Sequence, residues 1–207
     1  MPYKLVIFDF DGTLADSEAW FFAAFNGVAE RYRLRKVDAG EVEELRGKSS
    51  REIVRRLGVP AWKLPLIARH IRRLARDSTD RAALFPGVET MLRRLSGRGA
   101  LIGVVSSNAE EVVRRTLGPG LCATIGYFEC GASLFGKARR IRRVLRCSGV
   151  AASEAIFIGD ETRDVEAARD AGVAAGGVLW GYARAAAFAS TGATMFASVE
   201  EMTDALG

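Results

Sequence analysis

The sequence predicts an α/β protein. A parallel sheet covered by helices, from residues 1–15 and 85–207, is interrupted by an all-helical insertion over 16–84. Three observations carry this reading. The run Lys4–Phe10 is apolar on both faces until Asp9 breaks it, as in a buried strand of a parallel sheet. Between 16 and 84 the apolar residues recur at helical spacing. Beyond 85 the pattern changes to alternating helices and strands, which is how βα units read.

The elements follow in order. Lys4–Phe10 forms the first strand. In the insertion, Val42 and Leu45, then Ile53, Val54 and Leu57, then Leu64, Ile67, Ile71 and Leu74 mark successive helices, with Gly47, Gly58, Pro60 and Pro65 as punctuation. Trp20, Phe21, Phe22 and Phe25 on the first of these helices read mostly as core, with Trp20 or Phe21 nearest the preceding loop as pocket-lining candidates. Pro86 is placed to start a helix that carries Val88, Met91, Leu92 and Leu95. Leu101–Val105 is the next strand, and Val112, Val113 and Leu117 lie on the helix after it. Ile141, Val144 and Leu145 mark another helix, followed by a strand at 155–158, a helix over 162–171 and a strand near 174–179.

Composition bounds the function. With 49% hydrophobic and 27% charged residues the chain has ample core for a globular fold. No signal peptide or membrane-spanning stretch fits, and Cys122, Cys130 and Cys147 lack metal-type or redox-type spacing. The expectation is a cytoplasmic protein with reduced thiols. The net charge of +5 fits arginine-rich solvated helix faces. In "ARRIRRVLR" (138–146) apolar residues take one helical face and arginines the others, and no aromatics interleave, so no nucleic-acid partner is expected.

Ligands of open α/β sheets bind at the carboxyl ends of the strands. Here those ends carry Asp9 and Asp11, then Ser106-Ser107-Asn108, then Gly159-Asp160 with Glu161 and Asp164 beyond. Carboxylates at i and i+2 of an extended segment point the same way and repel. A hard cation with oxygen ligands offsets that repulsion, and Mg²⁺ suits a site of few carboxylates beside a phosphate. Asp9 is then a candidate nucleophile toward phosphorus and Asp11 a candidate general acid and base. Ser106 or Ser107 with the following amides suits phosphate oxygens, and Lys137 adds positive charge. Gly12, Thr13, Ser107 and Asn108 complete the candidate phosphate-binding set. Ser107 and Asn108 also fit as helix N-caps, three residues before Glu110 and Glu111. In the interhelical loop 46–50, Arg46 and Lys48 are candidates to meet an anionic substrate tail, or simply form a charged turn. His70, the only histidine, sits beside an apolar stripe and reads as structural.

"DFDGTLADS", "GVVSSN", "GK" and "IGDETRDVEAARDAG" resemble, in order, the four motifs of the haloacid dehalogenase-like hydrolase superfamily. The resemblance implies a Rossmann-like core, a Mg²⁺ cofactor and phosphatase chemistry on a small phosphorylated metabolite through an aspartyl-phosphate. It implies Asp9 as nucleophile, Asp11 as acid/base with its backbone carbonyl on the metal, Ser106 and Lys137 on the phosphate, and Asp160 and Asp164 at the metal. The insertion over 16–84 resembles the helical cap of the phosphoglycolate phosphatase-like subgroup. Ala138 stands where proline usually follows the lysine, and Glu161 where small polar residues are common; Glu161 either joins the metal or favours the first turn of its helix. The acid at Asp11 argues against carbon–halogen cleavage. A β-phosphoglucomutase-like mutase is the alternative enzyme, and a non-catalytic anion- or partner-binding protein the alternative outside enzymes.

Overall fold

The computed structural model describes residues 3–46, 48, 50–78, 82–131 and 136–207. The chain opens with β1 (Leu5–Phe8), in which every side chain is buried. It turns on the Phe10 carbonyl, which accepts from the N–H groups of Leu14 and Ala15 at 2.9 Å each, and enters the short β2 (Ala15–Asp16). There follow α1 (Glu18–Arg31), α2 (Ala39–Arg46), α3 (Ser50–Arg56) and α4 (Leu64–Asp77). Then β3 (Ala83–Leu84) runs back antiparallel to β2, pairing Ala15 with Leu84 and Asp16 with Ala83. The remainder alternates as α5 (Val88–Gly97), β4 (Leu101–Val105), α6 (Glu110–Cys122), β5 (Tyr127–Glu129), α7 (Lys137–Ser148), β6 (Ala155–Gly159), α8 (Thr162–Ala171), β7 (Ala174–Val178), α9 (Ala185–Phe188), β8 (Thr194–Phe196) and α10 (Val199–Leu206).

The main sheet is parallel in the order β5-β4-β1-β6-β7-β8. From β1 the chain winds outward through β4 to β5, then returns to the other side of β1 as β6. That reversal leaves a crevice beyond the carboxyl ends of β1, β4 and β6. Successive side chains of a strand face opposite ways. Val6 and Phe8 therefore pack with Met91, Leu92, Leu95, Val113 and Met202 on one face. Leu5 and Ile7 pack with Ile141, Val144 and Ala168 on the other. Each such buried side chain contributes about 1.5–3 kcal/mol. The arginine-rich α7 buries Ile141 and Val144, while Arg140 and Arg143 both pair with Glu129 at 2.9 Å.

The helices of the insertion have an apolar centre of their own, from Phe25, Val28, Leu45, Leu57 and Ile67. The insertion is not helical to its ends, since β2 and β3 bracket it as a two-rung ribbon. Pro86 does not start α5. Pro86-Gly87 make a turn, with Gly87 at φ 86°, and the helix begins at Val88. Ser107 and Asn108 do not cap α6, whose N-cap is Ala109; the side chain of Asn108 is drawn instead toward the site described next. Among the described residues no helix is long and apolar enough to cross a membrane.

Candidate active site

The residues singled out at three strand ends converge. Asp9 follows β1, Asp160 follows β6, and Asp164 lies in the first turn of α8; all three are buried. One carboxylate oxygen of each lies within 4.8 Å of the others. Lys137, the first residue of α7 and itself buried, donates to Asp9 Oδ2 at 2.6 Å and also to Asp164. The second oxygen of Asp164 accepts the Glu161 N–H at 3.1 Å, which fixes the carboxylate at the helix start. Asp160 accepts from the Thr13 hydroxyl at 3.2 Å and from the Tyr182 N–H at 2.8 Å.

Asp11 stands apart from that triad. Its Oδ1 accepts from the Ser17 hydroxyl at 2.8 Å, and its Oδ2 from the Asn108 side-chain amide. Ser106 is fully buried, and its Oγ accepts the Asn108 N–H at 3.1 Å; Ser107 is half-buried beside it. Gly12 has φ 74°, and a Cβ there would overlap the carboxylate of Asp160. Only glycine allows both the conformation and the approach.

Electrostatics favour a cation. The carboxyl of Asp9 is pushed up to about 6 by burial, with Asp164 adding to the rise and Lys137 opposing it. Asp160 is raised well above its ordinary value by burial first, then by Glu161, Asp9 and Asp164. Lys137 stays charged because Asp164 and Asp9 outweigh the burial that disfavours it. Glu161 pairs with the partly buried Arg163, whose charge the surrounding acids reinforce against burial. Asp9, Asp11, Asp160, Glu161 and Asp164 thus outnumber Lys137 and Arg163 at one strand edge. A buried, oxygen-only donor set with surplus negative charge fits a hard divalent cation.

Arg46 brings the insertion to this edge. Its guanidinium donates to the carbonyls of Gly181 at 2.7 Å and Tyr182 at 3.3 Å, and lies near Glu43 and Glu18. Its own carbonyl accepts the Arg184 N–H at 2.7 Å. The loop after β7 presents acceptors that a guanidinium matches, and the charge alone does not say which anionic or polar partner it meets. Lys48 lies 4.0 Å from Glu44; Gly47 and Ser49 of the expected loop fall outside the described residues. Trp20 lines a cleft between α1 and α4 with Leu74 and Asp77, whereas the ring of Phe21 lies 5.9 Å from that of Tyr182 at the site. His70 packs edge-on to Tyr32, away from the acids.

Sequence reasoning missed Ser17, Trp180, Gly181 and Tyr182. The Trp180 indole N–H donates to the Thr13 carbonyl at 3.1 Å, and the Tyr182 hydroxyl lies 2.7 Å from Ser17 Oγ. The signal was available, because Trp180-Gly181-Tyr182 follows the carboxyl end of β7 and so obeys the same strand-end rule.

The family model described as haloacid dehalogenase-like hydrolase matches residues 6–178. A phosphoglycolate phosphatase of Synechococcus elongatus is 35% identical over 180 residues, which cover 86% of this chain and 85% of that protein. An N-acetylmuramic acid 6-phosphate phosphatase of Pseudomonas aeruginosa is 29% identical, covering 88% and 84%. A haloacid dehalogenase-like family hydrolase of Streptococcus pneumoniae has the same fold, with a TM-score of 0.81 at 19% identity over 100% of this chain and 99% of that one.

Proposed function

The chain belongs to the haloacid dehalogenase-like hydrolases and is a phosphatase of that family, and from that premise we propose that it hydrolyses a small anionic phosphomonoester through an aspartyl-phosphate on Asp9. The observation that carries the reading is the pairing of buried Asp9 with Lys137 at 2.6 Å, beside Asp160 and Asp164. An ammonium against the nucleophile keeps it ionised despite burial. The similarity to a phosphoglycolate phosphatase supports a short, doubly anionic ester as substrate class.

Asp9, Asp160 and Asp164 would hold a Mg²⁺ ion, which supplies charge neutralisation between carboxylates and phosphate. This chain's own residues account for the rest. Lys137 and Ser106 bind phosphate oxygens. Asp9 attacks phosphorus while Asp11 protonates the departing alcohol. Asp11, now ionised, takes a proton from water, which attacks the aspartyl-phosphate and frees phosphate. The acid and nucleophile keep separate partners, Ser17 and Asn108 for one and Lys137 for the other. The helical insertion, as a cap over this edge, excludes bulk water and selects the leaving group.

The test is phosphate release from a panel of small esters that includes phosphoglycolate, with Mg²⁺ and with chelator, run beside Asp9→Asn. Metal-dependent release that falls by at least about a thousandfold in the variant is expected. Native-like turnover by the variant would remove Asp9 from the mechanism.

A further inference from the structure

We infer that Tyr182 is a positioning residue for Asp11, acting through Ser17; the inference rests on the reading of Asp11 as general acid. Three observations lead there.

The first is a chain of short contacts. Tyr182 Oη lies 2.7 Å from Ser17 Oγ, and Ser17 Oγ lies 2.8 Å from Asp11 Oδ1. A serine hydroxyl has one proton. Here it goes to the carboxylate, so the Tyr182 hydroxyl donates to Ser17. One hydroxyl thus orients the other against the carboxylate.

The second is what Ser17 forgoes. It is the N-cap residue of α1, and serine is among the best caps because its hydroxyl accepts an N–H of the first turn. Ser17 makes no such bond; its buried side chain turns to Asp11 instead. Without a donor on its far side, that hydroxyl is free to rotate back to the helix end, its usual local partner. The phenol holds it away.

The third is how firmly Tyr182 is set. Its N–H donates to Asp160 at 2.8 Å, and its carbonyl is held by Arg46. Its ring lies 5.9 Å from that of Phe21. Gly181 before it passes so close to Asp160 and the Gly12 carbonyl that a Cβ there would overlap both. One loop residue thus touches Asp160 by its backbone and reaches Asp11 by its side chain.

The readout is dependence on the leaving group. An alkyl alkoxide needs a proton as it departs, and a nitrophenolate does not. We would measure kcat/KM, which reports the steps up to formation of the aspartyl-phosphate, for phosphoglycolate and p-nitrophenyl phosphate. The proteins are the native chain, Tyr182→Phe, Ser17→Ala and the double variant. For Tyr182→Phe a loss of about 10- to 100-fold is expected on the alkyl ester, as when an orienting group is removed, and about twofold on the aryl ester. In the Ser17→Ala background Tyr182→Phe should cost nothing further, because the two act in series. An unchanged ratio between the esters, or losses that multiply in the double variant, would overturn the inference and leave the proposed function standing. A native chain that turns over neither ester overturns both.

Discussion

At the scale of single residues, the site is a set of carboxylates held closer than water would allow. Asp160 bears the largest consequence. Its folded pKa lies well above the ordinary 3.8, through burial and then the fields of Glu161, Asp9 and Asp164. Asp9 behaves alike, at about 6. In both cases the folded form keeps a proton that the unfolded chain has released, so stability falls as pH rises from 3.8, and for Asp9 that penalty is complete above about 6. Asp160→Asn removes one such charge, and the Thr13 hydroxyl is able to reverse and accept from the new amide. In chelator the variant should therefore melt higher than the native chain once pH exceeds the ordinary 3.8, by about 2–4 °C per kcal/mol relieved. Added Mg²⁺ should raise the native midpoint and leave the variant's unchanged. A lower midpoint for the variant in chelator would contradict the sign of the Asp160 shift. Asp9, Asp11 and Asp160 were legible because each sits at a strand end that periodicity locates, and Lys137 through its place in the motif order. The strand-end rule also reaches Tyr182, but its pairing with Ser17 was not legible, because Ser17 is 165 residues away and only the folded sheet joins them. For Arg46 the charge was legible and its direction was not.

At the scale of elements, the two ends of the chain treat their serine caps in opposite ways. Ser198 accepts the Glu201 N–H at 3.1 Å and caps α10, which packs Met202 and Leu206 into the core far from the acids. Ser198→Ala should cost about 1 kcal/mol, lowering the thermal midpoint by a few degrees while kcat/KM stays native. Loss of turnover there would tie α10 to the site, which its position does not. Helices were readable from apolar spacing, as α8 shows by spanning 162–171 as expected. The strands that escaped reading are short: β5 and β8 have three residues each, and β2 and β3 have two. So few residues complete no alternation, and their pairing is decided by the neighbouring strand.

At the scale of the molecule, two bodies have separate apolar centres, and several contacts among the described residues join them. One is the Arg46 grip on the 181–184 loop. Another is Arg115 of α6, which donates to the carbonyls of Ser78 at 2.7 Å, Arg76 at 3.2 Å and Ala75 at 3.3 Å, holding the end of α4. Arg115→Ala should speed amide exchange in the last turn of α4 about fivefold, equivalent to about 1 kcal/mol, while β1, β4 and β6 exchange as before. Exchange rising equally in the central strands would mean that the two bodies unfold as one. The third junction is covalent. Ala15 and Asp16 pair rung for rung with Leu84 and Ala83, and the Phe85 N–H donates to the Leu14 carbonyl at 3.0 Å. Seen from the sheet, everything between is the tip of a hairpin. Closing a hairpin around four helices costs only about 2–3 kcal/mol more than closing it around a few residues, since the entropy grows with the logarithm of the span. The length of what is inserted at the ribbon therefore weighs little on the entropy of forming the sheet, whereas Ser17, Phe21 and Arg46 tie this particular insertion to the 181–184 loop and to Asp11.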